Sequence, residues 1–367
     1  MQYAIDTRCI HGEGHKTEDA NCSISYPIYQ TASFSHLTPG HNPNGFDYSR
    51  ESNPTRAYLE ETISSLEYAC DTVAFASGMA AIATVFELFR PGDHLLLGED
   101  LYGGVVRLIT QVSSKNGYDA EYIDTTDLKL LKDRIRPNTR AVYLETPSNP
   151  MMHVTDIRKA AEIAHAAGAL LIVDNTFMTP YFQNPIPEGA DIVVHSGTKY
   201  LSGHNDTVCG FLCSANRELA ERFRLLSKTT GATLGPFECW LCMRGLKTLA
   251  LRMERHRSNA VKVRQWLLKQ DTVRKVYYAG SGMISFEVDS AEQATGILKN
   301  IRLITFAESL GGTESLLTYP TVQTHPDVPD EKKKKLGINN RLLRLSVGIE
   351  NPDDIIRDLE QAFLRTI

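Results

Sequence analysis

The feature that most constrains the fold is a regular alternation of strand-like and helix-like segments between residues 54 and 195. Short runs rich in Val, Ile and Leu predict strands at 72–76, 94–98, 120–123, 141–145, 170–174 and 191–195. Apolar residues at helical spacing predict helices at 54–68, 78–90, 103–116, 127–135 and 155–167. Apolar strands that alternate with helices are typical of a mainly parallel sheet covered on both faces, so the predicted fold class is α/β.

The pattern changes after about residue 235. Beyond this point the sequence predicts a long helix at 236–269, strands near 273–278, 283–288 and 342–347, and helices at 291–299 and 352–365. This mixture indicates a smaller α+β domain. Residues 1–47 look extended and poorly self-packing, so we expect an arm that lies on a partner subunit. The predicted organisation is an arm at 1–47, a large domain at 48–235 and a C-terminal domain at 236–367.

Charge and hydropathy argue against several classes of protein. The net charge of the 367 residues is -5, which gives no reason to expect nucleic acid or an anionic membrane as a partner. No apolar run approaches the roughly 20 residues that a membrane-spanning helix needs. The first residues also lack the charged start and apolar core of a signal peptide. We therefore expect a cytoplasmic protein without membrane or nucleic-acid partners.

Seven cysteines are scattered through the chain and do not resemble a disulfide framework. Cys209 with Cys213, and Cys239 with Cys242, have a spacing that a four-thiolate zinc site could use. The first pair, however, lies in a strand-like segment and the second on one face of a predicted helix. Both pairs are therefore predicted to be buried, and no metal is expected.

A single lysine, Lys199, follows the predicted strand 191–195 after a turn that also carries Ser196 and Thr198. A lysine at a buried strand end can form a Schiff base with the aldehyde of pyridoxal phosphate (PLP), and neighbouring hydroxyls can hydrogen-bond the phosphate. The alternative is a surface lysine at a strand end. On this segment alone both interpretations stay open.

Two further segments favour the PLP interpretation. Asp174 ends the predicted strand 170–174, where a carboxylate can cap a helix or can pair with the pyridine nitrogen and keep it protonated. Ser77 and Gly78 stand between a strand and an Ala-rich helix, and the free N–H groups of such a helix start bind phosphate. An ordinary Ser cap would have the same sequence. The three segments together predict a PLP enzyme.

These segments belong to a longer series of short motifs that runs nearly end to end. The motifs occupy residues 46–50, 53–56, 76–80, 100–104, 145–150, 173–176, 196–199, 309–312 and 344–348. In this order they resemble the cystathionine γ-synthase, γ-lyase and β-lyase family, the transsulfuration branch of fold-type-I PLP enzymes. The resemblance implies an aspartate-aminotransferase-like fold, with a large domain built on a mainly parallel sheet and a smaller α+β C-terminal domain. It also implies a homotetramer made of two dimers that share active sites.

Carried over residue by residue, the resemblance implies a complete site. Lys199 would bond the cofactor and shuttle protons, Asp174 would pair with the pyridine nitrogen, and Tyr102 would stack on the ring and act as an acid or base. Other cofactor contacts are expected from Tyr48, Arg50, Ser77, Gly78, Met79, Asn149, Thr176, Ser196 and Thr198. Of these, Tyr48 and Arg50 would come from a neighbouring subunit. The substrate would contact Ser309, Leu310, Glu314 and Arg344, with Arg344 and Ser309 on the α-carboxylate.

The reaction within the family is narrowed by four features. Gly104 stands at the position where methionine γ-lyases typically have a cysteine. The segment 276–284 lacks an insertion that many lyases carry. Glu314 suits the distal ammonium of cysteine or of cystathionine, so it fits a synthase and a γ-lyase alike. The run 310–320 most resembles γ-synthases of Gram-positive bacteria. We therefore expect γ-replacement, forming cystathionine from an O-acyl-L-homoserine and L-cysteine in methionine biosynthesis.

Several alternatives stay open from the sequence. One is a cystathionine γ- or β-lyase with cysteine desulfhydrase side activity, and another is an O-acetylhomoserine sulfhydrylase. A catalytically silent PLP-fold binding protein is a further alternative, although Lys199, Asp174 and Arg344 argue against it.

Overall fold

A computed structural model describes residues 3–13, 22–39, 44–326 and 328–366. Two parts of the predicted arm, 14–21 and 40–43, lie outside these described residues. The first sheet has seven strands: β1 (Asp71–Phe75), β2 (His94–Gly98), β3 (Asp119–Ile123), β4 (Thr139–Glu145), β5 (Leu170–Asp174), β6 (Ile192–Ser196) and β7 (Gly210–Ser214). Each predicted strand of the alternating region therefore exists, within two residues of its expected bounds.

The first sheet is mainly parallel, as predicted. Its strand order is β1-β7-β6-β5-β4-β2-β3, and only β7 runs against its neighbours. Alternate residues of each strand face opposite sides, so that Val142 and Leu144 join one apolar cluster while Ala141 and Tyr143 join another. The carboxyl ends of the five parallel strands β2 to β6 meet along one edge of this sheet, where open α/β sheets bind their ligands.

Helices cover both faces of the first sheet. They are α2 (Pro54–Glu67), α3 (Gly78–Phe86), α4 (Gly103–Arg107), α5 (Leu128–Arg134), α6 (Ile157–Ala166), α7 (Thr179–Phe182) and α8 (Arg217–Thr230). Short polar side chains start most of them, since the side chains of Asn53, Asp156 and Asn216 each accept a backbone N–H of the first turn. Apolar residues of α2 and α6 lie on one face, and those of α3 and α8 on the other.

Two predicted helices differ from their expected form. The segment 103–116 is helical throughout, but α4 passes into a π-helical turn at Leu108–Val112 and a 3₁₀ turn at Ser113–Asn116. The predicted helix 236–269 is two helices, α9 (Pro236–Leu246) and α10 (Leu249–Leu267).

Arg252 accounts for the break between α9 and α10. Its buried guanidinium donates to the carbonyl of Gly245 at 2.8 Å and to that of Tyr200 at 2.7 Å, and its Nε donates to Thr248 Oγ1 at 3.1 Å. The Gly245 carbonyl, which a continuous helix would use for the N–H of residue 249, is thus bonded to a side chain. Helical spacing of apolar residues cannot reveal such a competing donor.

The expectation of an extended N-terminal arm is wrong for residues 5–11. They form α1 (Ile5–His11), which buries Arg8 and Cys9 against α2 and α10. The Arg8 guanidinium donates to Tyr68 Oη at 2.7 Å. Within the described range 22–39, by contrast, the chain forms neither helix nor strand, and Ser33 forms an isolated bridge with Tyr48.

A second, smaller sheet lies in the C-terminal part of the chain. Its strands are β8 (Val273–Tyr278), β9 (Met283–Val288), β10 (Thr305–Phe306), β11 (Leu316–Thr318) and β12 (Leu342–Ser346), in the order β10-β11-β12-β9-β8. The sheet is antiparallel except for β10 and β11. The helices after α10 are α11 (Ala291–Asn300), α12 (Asp330–Leu336) and α13 (Pro352–Leu364). The expectation of a smaller α+β domain is confirmed. The sequence did not predict β10 and β11, because strands of two and three residues are too short to show an alternation of apolar and polar residues.

The two sheets meet beside β4. Ser285 of β9 donates to the carbonyl of Pro150 at 2.7 Å, and its register partner on β12 is Arg344. Arg344 therefore faces the strand-end edge of the first sheet. Both cysteine pairs are buried, as predicted, and the described residues contain no group of three or more His, Cys, Asp or Glu that could hold a metal ion. None of the described helices is both long and apolar enough to cross a membrane.

Candidate active site

A cavity of about 220 Å³ lies between the strand ends of the first sheet and the second sheet. Most of the residues predicted for the site line it: Ser77, Gly78, Met79, Tyr102, Asn149, Asp174, Thr176, Ser196, Thr198, Lys199, Ser309, Leu310 and Arg344. The lining also includes residues that the sequence did not single out: Ile82, Glu145, Phe177, Val208, Glu308 and Thr324. Segments far apart in the chain thus converge on one space.

Lys199 places its amine inside this cavity. It follows β6 in a tight turn, and its Nζ donates to Ser309 Oγ at 3.1 Å. Burial in the cavity, together with the positive charge of Arg344, lowers the pKa of Lys199 to about 8. An appreciable fraction of this amine is therefore neutral near physiological pH, as a nucleophile or a base requires.

The start of α3 forms an anion-binding corner of the cavity. Ser77 caps the helix by accepting the N–H of Ala80 at 3.0 Å, while the N–H groups of Gly78 and Met79 have no acceptor within the helix. A Cβ at Gly78 would be 2.9 Å from Ser196 Cβ, so only glycine lets the helix start lie this close to the end of β6. Backbone donors and hydroxyls therefore converge on one point.

Asp174 lies at the end of β5 and is buried. Its Oδ1 accepts the backbone N–H of Thr176 at 3.0 Å and the Thr176 hydroxyl at 2.6 Å. Burial raises the pKa of Asp174, while the two bonds from Thr176 oppose that rise. The carboxylate makes no ion pair with any described residue, so a cation placed in the cavity would be its natural partner.

Arg344 enters the cavity from β12 and is only 1% exposed. Its guanidinium donates to Asn149 Oδ1 at 2.8 Å, to the Ser309 carbonyl at 3.1 Å and to Thr318 Oγ1 at 3.2 Å. Its Nε has no acceptor, and among the described residues no carboxylate pairs with it. Burial lowers its pKa to about 10. A buried guanidinium without an anion suits a carboxylate ligand, which it binds through two parallel hydrogen bonds.

Tyr48, Arg50 and Glu314 lie outside the cavity. The Arg50 guanidinium lies over the Tyr48 ring at 5.3 Å and donates to the carbonyl of Lys228. These two residues therefore cannot serve the cavity of their own chain in this arrangement.

Glu314 was expected to contact the substrate, but its carboxylate is hydrogen-bonded to residues outside the cavity. Its Oε2 accepts from Asn205 Nδ2 at 2.8 Å and from the Thr313 hydroxyl at 3.1 Å. Glu308, by contrast, lines the cavity and its side chain is exposed. The signal that could have identified Glu308 is its position immediately before Ser309.

Glu145 was also missed, although it lies in the motif 145–150. It ends β4 and is buried, and its Oε2 accepts the backbone N–H of Tyr102 at 3.0 Å. Burial raises the pKa of Tyr102, so its phenol keeps its proton at neutral pH. The motif placed Glu145 in the right segment, but only the folded strand shows that its side chain faces the cavity.

Comparison with known proteins agrees with this site. A model of the family "Cys/Met metabolism PLP-dependent enzyme" matches residues 6–364. The chain belongs to this family. Its cofactor is PLP, and the cavity fits that molecule, because a helix start, an unpaired buried carboxylate and an accessible lysine match its phosphate, pyridine nitrogen and aldehyde.

Relatives in the Cys/Met metabolism family carry more than one activity. The chain is 44% identical to a cystathionine γ-synthase of Haemophilus influenzae, over 99% of this chain and 98% of the relative. It is also 44% identical to a cystathionine γ-lyase of Bacillus subtilis, over 97% and 98% of the two chains. A crystal structure of cystathionine γ-lyase from Lactobacillus plantarum complexed with L-serine superposes with a TM-score of 0.96, at 41% identity and 99% coverage of each chain.

The predicted PLP fold type I is thereby confirmed, together with its two-sheet arrangement. The family and its relatives identify a PLP-dependent enzyme of sulfur amino-acid metabolism that acts as a synthase or a lyase. They do not separate these activities.

Proposed function

We propose that this enzyme makes cystathionine from an O-acyl-L-homoserine and L-cysteine by γ-replacement, as a step of methionine biosynthesis in the cytoplasm. Bound PLP supplies the electron sink that makes the substrate α-proton acidic. In this proposal Ser196, Thr198 and the start of α3 hold the cofactor phosphate, and Asp174 holds the pyridine nitrogen.

The remaining residues act on the substrate. Arg344 binds the α-carboxylate, which holds the α-carbon near Lys199. The Lys199 amine would take the α-proton and then a β-proton of the substrate, so that the Cγ–O bond breaks and the acyloxy group leaves as an anion. The cysteine thiolate would then form the new Cγ–S bond, and protons would return to Cβ and Cα. The Ser309 hydroxyl, 3.1 Å from that amine, orients it. Glu308 faces the ammonium of the incoming cysteine at the mouth of the cavity.

The observation that favours synthesis over cleavage is the short connection between β8 and β9. Only residues 279–282 join Tyr278 to Met283. The chain therefore lacks the insertion that many lyases of the family carry between these strands. Gly104 supports the same choice. A Cβ at this position would be 2.5 Å from the edge of the Tyr102 ring and 2.9 Å from Met79 Sδ. A cysteine there, as in methionine γ-lyases, would move the Tyr102 ring.

Cleavage of cystathionine is the second candidate. Glu308 suits the distal ammonium of cystathionine as well as that of cysteine, and the structural relative from L. plantarum is a γ-lyase. Glu308 disfavours a sulfhydrylase, because sulfide has no ammonium to bind.

The decisive experiment compares initial rates on matched substrates. The purified holoenzyme is incubated with L-cysteine and O-acetyl-, O-succinyl- or O-phospho-L-homoserine, and separately with L-cystathionine. We expect cystathionine formation from one activated homoserine to exceed cystathionine cleavage at equal substrate concentration. Faster cleavage would overturn the synthase assignment and leave the lyase.

We also propose that the site is shared between subunits of a homotetramer. Tyr48 and Arg50 lie outside their own cavity, and the guanidinium of Arg50 meets the Tyr48 ring and a backbone carbonyl in the described chain, with no carboxylate bonded to it. In a dimer such a pair can reach the phosphate corner of the neighbouring cavity.

A further inference from the structure

Two buried carboxylates lie side by side at the edge of the cavity. Glu145 ends β4 and Asp174 ends β5, and the two residues are register partners on adjacent parallel strands. Side chains of register partners point to the same face of a sheet. Both residues line the cavity. Among the described residues the charge of Arg344 acts on Glu145 and that of His195 on Asp174, but neither carboxylate has a cationic nitrogen within the 4.0 Å of an ion pair.

The surroundings of the two carboxylates differ in their hydrogen bonds. Asp174 receives two donors from Thr176 on a single oxygen. Glu145 receives one, the Tyr102 N–H. Two adjacent carboxylates without a cation cannot both ionise at low cost, and hydrogen bonds stabilise the charged form of the one that accepts more of them. The negative charge therefore belongs on Asp174.

We propose that Glu145 is a positioning residue that keeps its proton in the working enzyme. Its neutral carboxyl leaves Asp174 as the single anion of this edge, opposite the cofactor nitrogen, while its Oε2 fixes the backbone of Tyr102. The proton is held on Oε1, the oxygen to which Tyr102 does not donate. The inference concerns the cofactor side of the cavity and holds for a synthase and a lyase alike.

The electrostatics of the pair support this division of roles. Burial, and then the charge of Asp174, raise the pKa of the Glu145 carboxyl well above its usual value. For Asp174, burial acts in the same direction, but the bonds from Thr176 and the nearby His195 oppose it. At Glu145 the bond from the Tyr102 N–H and the charge of Arg344 oppose the rise, while a third buried carboxyl, Asp100, adds to it. An ionised Glu145 would bring a second negative charge to a space that already holds one.

Infrared spectroscopy tests the protonation directly. In the holoenzyme at pH 7 to 8, we expect a carbonyl band of a protonated carboxyl group that shifts when the protein is labelled with ¹³C-glutamate. The same band should be missing from Glu145→Gln. The labelling experiment uses the wild-type protein, so it stands even if a variant fails to fold. Absence of a glutamate-dependent band in the wild-type spectrum would overturn the proposal.

A second readout separates a neutral Glu145 from a charged one. Glu145→Gln keeps an acceptor for Tyr102 and adds no charge, so we expect the PLP dissociation constant to change by less than about threefold. The pH midpoint at which the absorption spectrum of bound PLP changes should likewise be the same in Glu145→Gln as in the wild-type enzyme. Asp174→Asn, which removes the charge, should weaken PLP binding by more than about tenfold. If Glu145→Gln weakens PLP binding as much as Asp174→Asn, Glu145 is an anion and the proposal fails.

Discussion

The two walls of the cavity are built in different ways. The large-domain half consists of residues at strand ends and at the start of a helix: Ser77, Gly78, Glu145, Asp174, Ser196 and Lys199. The C-terminal half consists of one loop, a second short segment and one strand: Glu308, Ser309, Leu310, Thr324 and Arg344. In the first half, each position lies at the end of a buried strand, at the start of α3 or in the turn after β6. In the second, positions depend on contacts between segments that are distant in sequence.

Ser309 shows this dependence most clearly. Its φ is 112°, in the left-handed region that non-glycine residues rarely adopt and that costs roughly 1–3 kcal/mol. The Ser309 carbonyl accepts from Arg344, and its hydroxyl accepts from Lys199. These contacts from two other segments hold the loop in a conformation that its own sequence does not favour. We therefore expect substitutions in the C-terminal half to change substrate binding while PLP stays bound.

The largest expected effect lies in the large-domain half. Lys199→Ala should fold, and its turnover should fall by roughly 10⁴-fold or more, because no other amine in the described cavity can take its role. Lys332 provides a matched control. Its burial lowers its pKa to about 8 as well, but its amine lies over the Tyr122 ring at 3.6 Å, outside the cavity. Steady-state assays should show Lys332→Ala active, and an active Lys199→Ala would refute the assignment.

Mixing two inactive variants tests whether the large-domain half is complete in one chain. Arg50→Ala and Lys199→Ala should each have little activity alone. After dissociation and reassembly, half of the random dimers are hybrids with one intact site, so up to about a quarter of the sites should work. Mass spectrometry confirms that hybrids form. Hybrids without activity would show that Arg50 does not serve a neighbouring site.

In the C-terminal half, Arg344→Lys should separate substrate binding from cofactor binding. Loss of the two-pronged contact to the α-carboxylate should raise the KM for the amino-acid substrate by about 10- to 100-fold, corresponding to roughly 1.5–3 kcal/mol. PLP affinity, measured by titration of the apoenzyme, should change little. Arg341→Lys is the control, since Arg341 is half-exposed and pairs with Glu287. Equal losses of PLP and substrate affinity would break the distinction between the two halves.

A buried histidine beside the C-terminal half should make the stability of the protein depend on pH. His325 packs against the C-terminal half, with its Nε2 3.0 Å from the Asn149 carbonyl, and burial lowers its pKa to about 4. Because this value lies below that of the unfolded state, the folded protein binds fewer protons between pH 6.5 and 4, and stability falls as pH falls through that window. Lowering the pH from 7 to 5 should therefore reduce the free energy of unfolding by about 2 kcal/mol through His325 alone.

Urea unfolding of the holoenzyme at both pH values measures this cost. His325→Gln should reduce the pH dependence by the same amount. An unchanged slope in His325→Gln would show that this histidine does not titrate within the window.

The smallest effect distinguishes two glutamates that are six positions apart. Glu308→Gln should raise the KM for cysteine by about tenfold, since a charge-assisted hydrogen bond to the ammonium is lost. Glu314→Gln should change it by less than about twofold, because that carboxylate bonds Asn205 and Thr313 outside the cavity. The reverse order would restore Glu314 as the substrate contact.

The same comparison explains how far the sequence could predict the site. Apolar runs place strand ends, and Asp174 and Lys199 stand at or just after such ends, so the large-domain half follows from local pattern. Glu308 and Glu314 flank the same Ser-Leu-Gly-Gly motif with the same chemistry. Only the folded loop decides which one faces the cavity. Periodicity likewise gave no sign of the two-residue strand β10 or of the π-helical turn after α4.

Arg252 has a consequence for how the molecule comes apart. Its side chain starts on α10, yet it bonds carbonyls at the end of α9 and in the turn that follows Lys199. One guanidinium thus ties three stretches of chain, and the catalytic turn lies among them. Separating the C-terminal part from the rest would leave a buried charge and several carbonyls without partners. A chain cut at the α9–α10 break should therefore still melt in a single cooperative transition, with both sheets lost together.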